Sequence, residues 1–229
     1  MKTQTCFLLS YVKYGDNGAV LNCFSQDQGF QSFFASNIYS AKNKKKSYLF
    51  PLHEILITVS PKKGGAGLQN ISNIEPANNS IEFEGVKINS ILFFVADFLF
   101  QVLREEQNHA KIYEEIKIFL EHLYSENMDS YIAFIFKILE KQGISPLLSD
   151  EVFLNPESGN FSSQKSLQLF DEEISAVWRN YLQASDLYSL KLKRNVRKRV
   201  LDSLMSYYAI HFHGFREPMS LAVIQQIYD

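Results

Sequence analysis

The spacing of hydrophobic positions changes once along this chain, near residue 80. Before that point, apolar and aromatic residues fall in short runs that suit strands: Thr5–Val12, Ala19–Ser25, Gln31–Ile38, Tyr48–Ser60 and Leu68–Ile74. Turn residues separate them, in Tyr14-Gly15-Asp16-Asn17-Gly18, Asp27-Gln28-Gly29 and Pro61-Lys62-Lys63-Gly64-Gly65-Ala66-Gly67. Pro51 lies near the start of its run, where a strand tolerates it. Five strands in about 75 residues predict a small antiparallel barrel, and the commonest barrel of that size is the OB-fold.

The polar stretch Glu75-Pro76-Ala77-Asn78-Asn79-Ser80 marks a boundary, and beyond it the period lengthens to about 3.6. Ile88, Ile91, Leu92, Val95, Phe98, Leu99 and Val102 predict one helix. Ile112, Ile116, Phe119 and Leu123 predict a second. Tyr131, Phe134, Ile135, Ile138 and Leu139 predict a third, stopped by Gly143 and Pro146. Residues 145–165 read as irregular. Phe170, Ile174, Val177, Trp178 and Tyr181 predict a fourth helix, and Val196, Val200, Leu204, Tyr207 and His211 a fifth, with a short sixth over Leu221–Ile227. The expected fold class is α+β. Residues 1–80 form a five-stranded OB-type β-barrel, and residues 81–229 form an α-helical domain.

Composition narrows the class. The chain has 229 residues, 46% of them hydrophobic and 21% charged, with 10 Gly and 6 Pro. These values exclude a disordered or collagen-like chain and allow a real core. Cys6 and Cys23 are the two cysteines, so a zinc site built from cysteines is excluded. The N-terminus has too short an apolar stretch for a signal peptide, and the run Ile91–Leu103 is shorter than a membrane span. A soluble, cytoplasmic chain with reduced thiols is expected, with no membrane partner.

Net charge is only −2, but it is unevenly spread. Residues 1–80 carry a balance of +4, residues 81–190 of −10, and residues 191–229 of +4. Two basic segments therefore flank an acidic middle, and each attracts phosphate locally. Catalytic signals are weak. His211 and His213 point to different sides of a helix and have no third ligand nearby in sequence. Glu105-Glu106, Glu114-Glu115 and Asp171-Glu172-Glu173 read as solvated helix faces. There is no GxxxxGK[ST] loop for ATP and no Gly-x-Ser-x-Gly elbow. Gly64-Gly65-Ala66-Gly67 reads as a hairpin turn. No metal and no cofactor are expected, and no bond-breaking chemistry.

The order of these features resembles the RecO family of bacterial recombination and repair proteins. The likeness is carried by Lys13-Tyr14-Gly15-Asp16, by Gln26-Asp27-Gln28-Gly29, and by the basic stretch Tyr39-Ser40-Ala41-Lys42-Asn43-Lys44-Lys45-Lys46 with Leu49-Phe50-Pro51-Leu52 after it. It continues in Phe98–Gln107, in Phe153–Phe161 as a short β-like segment, and in Tyr207–Phe215 with Ser220-Leu221. It spans essentially the whole chain through order and spacing. Asp16 stands where the family has Glu, and Ser25 or Gln26 stands for its turn Thr. The family's four-cysteine zinc site has no counterpart here, so any role tied to zinc does not carry over.

The resemblance implies a DNA repair mediator without enzymatic activity. It would bind single- and double-stranded DNA, anneal complementary strands, and with RecR help load RecA on DNA coated by single-stranded-DNA-binding protein. RecF is a further candidate partner. The DNA-binding residues expected on the barrel are Lys42, Lys44, Lys45, Lys46, Lys62 and Lys63, with Phe33 and Tyr39 as stacking aromatics. Alternation along the strand sends some of Phe30, Phe33, Phe34 and Tyr39 to the core and some outward. A second basic surface is expected from Lys191, Arg194, Arg197, Lys198 and Arg199. It would serve DNA or the acidic tail of the single-stranded-DNA-binding protein. Two other readings stay open: an adaptor whose barrel binds peptides rather than DNA, and a Mg²⁺-dependent hydrolase using the paired glutamates.

Overall fold

In the computed structural model, residues 1–40, 43–60, 68–77 and 85–228 are described. They form two compact units, Met1–Tyr113 and Glu114–Asp229. In the first, β1 (Lys2–Tyr14), β2 (Gly18–Ser25), β3 (Gly29–Ala35), β4 (Glu54–Val59) and β5 (Gln69–Pro76) close into a barrel in the order β1-β2-β3-β5-β4. Neighbours run antiparallel except β3 and β5, which are parallel. Alternation builds most of the interior, from Cys6 and Leu8, Ala19, Leu21 and Cys23, Phe33 and Ala35, and Ile55, Ile57 and Val59; Ile71 and Ile74 both join it because the β4–β5 register shifts between them. Both cysteines are free and buried. A hydrogen bond with Cys6, reinforced by burial, holds the Cys23 thiol well above its ordinary range.

The run Tyr48–Ser60 is not one strand. Its first part closes a 3-10 turn over Lys44–Tyr48, and pairing begins only at Glu54. Pro51 has no amide hydrogen to give, and Leu52 adopts φ 58°, so the chain reverses there. The reversal docks on β1, with Leu52 N–H donating to Leu8 O at 2.7 Å and Leu8 N–H to His53 O at 3.1 Å.

Phe7, Phe24 and Phe30 point outward from the barrel and are covered by the segment that follows it. Helix α1 (Val86–Val102) packs along β1, and the segment after it completes the cover. Phe7 meets Tyr113 at 4.7 Å between ring centroids, Phe24 meets His109 at 6.1 Å, and Phe30 meets Phe100 at 5.9 Å. The first compact unit therefore runs on to Tyr113, past the change of period at residue 80.

The second unit holds the rest of α2 (His109–Tyr124), then α3 (Ser130–Lys141), β6 (Phe153–Asn155), β7 (Asn160–Ser162), α4 (Glu172–Gln183), α5 (Arg194–His211) and α6 (Leu221–Tyr228). The stretch 145–165 is partly ordered as the β6–β7 hairpin, with the β-like segment where the resemblance puts it. Trp178 is the centre of this core. Its ring lies 4.8 Å from Phe136 and 5.0 Å from Tyr207, and its indole N–H donates to Ser203 Oγ at 2.8 Å. Glu115 is buried but satisfied: it accepts from Tyr188 OH at 2.7 Å and pairs with Lys141 at 3.1 Å. Burial, followed by that carboxylate, pushes the Tyr188 phenol far above its ordinary range.

Phe33 is 1% exposed inside the barrel. Phe33→Ala should therefore lower unfolding free energy by about 3–5 kcal/mol in urea titration.

Candidate nucleic-acid interface

One end of the barrel gathers cations and aromatic rings. β1 reaches it through a bulge. Leu8 pairs with Cys23 and Ser10 with Asn22, so Leu9 is the extra residue. The bulge shifts the alternation by one. Beyond it Tyr11 lies opposite Leu21 and Lys13 opposite Ala19, on the side of the interior residues. There the barrel has ended, so both side chains are exposed.

Tyr39 lies beside them. Its backbone N–H donates to Asn17 O at 3.0 Å, which ties the segment after β3 to the β1–β2 turn. Its ring packs on the barrel core. Lys13 Nζ lies 5.9 Å from the ring centroid and Lys46 Nζ 5.5 Å. Burial, and then the nearby Tyr11, raises the Tyr39 phenol above its ordinary range. The ring expected to stack a base thus organises two ammonium groups.

The lysine turn is held locally. Asn43 caps it, accepting from Lys45 N–H at 2.9 Å and donating to Asn37 O at 3.0 Å. Ser47 Oγ donates to Lys44 O at 2.9 Å. Lys44 and Lys46 are exposed. Lys45 turns inward instead and donates to Asn73 Oδ1 on β5. Lys42, Lys62 and Lys63 lie outside the described residues.

The outer face of β1, β2 and β3 continues this surface. Phe33 belongs to the core, so its expected stacking role is corrected: it faces inward with Ala35. Phe34 has the opposite parity and stands outward, level with Val20 and Val12. Tyr14 meets its ring edge-on at 5.8 Å. Gly18 lets the ring lie against the backbone; a Cβ there would stand 2.8 Å from Phe34 Cζ. Next along the face, Asn22 donates to Ser10 Oγ at 2.9 Å and accepts from Ser32 Oγ at 2.6 Å. Those bonds use up much of the amide's hydrogen-bonding capacity. Tyr11, Lys13 and Tyr14 join the candidate site although run-by-run reading does not single them out, while Phe34 is an outward member of the four aromatics that reading names. Strand parity separates Phe34 from Phe33, but nothing in the sequence announces the bulge that redirects Lys13.

In the second unit the basic run 191–199 does not form one free cationic surface. Arg197 Nε donates to Asp129 Oδ1 at 2.5 Å, with both side chains largely buried. Arg199 pairs with Glu173 at 2.5 Å and also with Asp171, the N-cap of α4. Both arginines are thus engaged with carboxylates of their own unit. Lys191 donates to Asn127 Oδ1 at 2.9 Å. Arg194 and Lys198 border a shallow hollow of about 20 Å³ beside Tyr131, Leu201 and Ile224. Among the described residues no group of three or more His, Cys, Asp or Glu could hold a metal ion, and no helix is long and apolar enough to cross a membrane. His211 Nε2 donates to Pro156 O at 2.6 Å, and the ring lies against Tyr207.

A closed five-stranded barrel followed by helices defines an OB-like barrel protein, a class whose strand 2–3 face commonly holds oligonucleotides. Residues 1–80 match the family model for the recombination protein O N terminal, and residues 84–217 match that for its C terminal. The chain belongs to the RecO family of DNA repair proteins. It is similar to the DNA repair protein RecO of Flavobacterium psychrophilum, 23% identical over 239 residues, covering 100% of this chain and 99% of that one. It is likewise similar to those of Azobacteroides pseudotrichonymphae, 23% identical with 100% and 99% covered, and Porphyromonas gingivalis, 24% identical with 97% of each covered.

Two substitutions test this geometry. Gly18→Ala should displace the Phe34 ring and cost about 1–3 kcal/mol in thermal unfolding. Asp129→Ala should strand the Arg197 guanidinium and cost about 3–5 kcal/mol. The matching Lys198→Ala change, at an exposed helix position, should leave stability within about 0.5 kcal/mol.

Proposed function

We propose that this RecO-family repair protein holds single-stranded DNA across the Phe34 face and the Tyr39 end of the barrel. The observation that carries the reading is the cluster of Lys13, Lys46 and Tyr39 beside an outward Phe34. Cations neutralise the phosphate backbone, while aromatic faces take bases of any sequence. The occupied Asn22 amide fits binding without sequence preference. Lys44, and the lysines at 42, 62 and 63, add charge along the same segment of sequence.

Family membership supports the fuller activity: binding duplex as well as single strands, annealing complementary strands, and helping RecA load with RecR, with RecF as a further partner. No bond is broken in this scheme; binding and strand pairing do the work. For the acidic tail of the single-stranded-DNA-binding protein, Arg194 and Lys198 beside Leu201 and Ile224 offer charge next to an apolar floor. The hollow itself measures about 20 Å³, room for a water-sized group.

The test is annealing of complementary fluorescent oligonucleotides coated with the cognate single-stranded-DNA-binding protein, without nucleotide or metal, over a salt series. Salt-sensitive annealing is expected. Joint replacement of Lys13, Lys44 and Lys46 by Ala should flatten the slope of log affinity against log salt by about 2, at about 0.7 per lost phosphate contact. Phe34→Ala should weaken single-strand binding by about 1–3 kcal/mol with the slope unchanged. No annealing and no DNA binding at low salt would leave the peptide-binding adaptor as the better reading.

A further inference from the structure

A thirteen-residue strand outruns its partners. β1 pairs with β4 from Lys2 to Phe7 and with β2 from Phe7 to Tyr14. β2 leaves at Ser25 and turns through Gln26–Gln28 into β3. On the side opposite β4, no strand among the described residues pairs with Lys2–Thr5. Peptide groups in an antiparallel ribbon point alternately to each side, so part of this backbone faces an open lane. A cavity of about 290 Å³ lies along it. β1 forms one wall and Ser25, Gln26 and Asp27 the other, while Leu56 and Tyr113 add apolar area. Tyr113 is fixed by donating to Glu54 Oε1 at 2.6 Å.

We propose that this lane binds an extended peptide segment of a partner protein, which adds to β1 as the strand that β2 ceases to be. The site is separate from the Phe34 face and does not depend on its binding DNA. Strand addition takes its affinity from main-chain hydrogen bonds, and along this edge of Lys2–Thr5 no strand among the described residues takes them. Charge sets the direction. A segment continuing the course of β2 enters beside Asp27 and leaves beside Lys2. It therefore carries a basic group at its N-terminal end and an acidic group at its C-terminal end. Nucleic acid fits poorly: the single lysine is offset by Asp27, Glu54 lies behind, and the Tyr113 ring is buried.

The experiment titrates the full-length protein with the fluorescein-labelled peptide Lys-Thr-Val-Thr-Val-Glu, following anisotropy. Three comparisons run beside it: the reversed-charge peptide Glu-Thr-Val-Thr-Val-Lys, a form N-methylated at alternate amides, and a hexameric oligothymidine. The first peptide should bind saturably, about tenfold tighter than the reversed and the N-methylated forms. In the double variant Lys2→Glu, Asp27→Lys, both sites being exposed, the preference between the charged peptides should invert. Three results would each overturn the proposal. One is no saturable binding by about 1 mM, the weak end of specific affinity. Another is binding indifferent to N-methylation and to charge reversal. The last is displacement of the peptide by oligothymidine, which would make the lane part of the DNA surface.

Discussion

The barrel depends on one strand being shared between two partners. Five strands close only if β1 pairs with β4 along its first half and with β2 along its second. A strand doing both must bend sharply, and the bulge at Leu9 supplies the bend. The consequences are local and definite. Before the bulge, Cys6 and Leu8 fill the interior. After it, Tyr11 and Lys13 continue on the interior side past the barrel's end, where Lys13 reaches Tyr39. Among the described residues, no strand pairs with the other edge of Lys2–Thr5. The cation–aromatic end and the open lane are two results of one closure.

The aromatic store divides by parity. Phe33 looks inward and Phe34 outward, one residue apart. Phe7, Phe24 and Phe30 also look outward, yet they are not free, because residues 100–113 cover them. Exposure of an aromatic therefore depends on which stretch of the outer wall α1 and the start of α2 leave open. Phe34, with Gly18 beneath it and Tyr14 at its edge, stands on an uncovered stretch.

The cations divide by chemistry. Arginine's planar fork suits paired carboxylates, and Arg197 and Arg199 are spent on Asp129, Asp171 and Glu173. They join α5 to the start of α3 and to α4. Lysine is a strongly hydrated point charge on a flexible stem, and Lys13, Lys44 and Lys46 keep it in solvent. Lys45 is the exception, turned to Asn73. A run of basic residues in a sequence is thus a mixture of struts and contacts, sorted by what lies across from each.

What the sequence determined by itself was set by short-range periodicity: five strands, six helices and their order, because alternation and the 3.6-residue repeat need only neighbouring residues. The long order of weak motifs carried the RecO family likeness in the same way. Tertiary structure decided the rest. The bulge at Leu9, the 3-10 turn over Lys44–Tyr48 and the outward choice of Phe34 over Phe33 follow from closing the barrel. The pairing of Arg197 with Asp129, 68 residues away, and of Arg199 with Asp171, 28 away, appears only once helices pack. Each of these joins residues that no local window contains, so a charge or ring visible in the sequence acquired its role only from its partner in space.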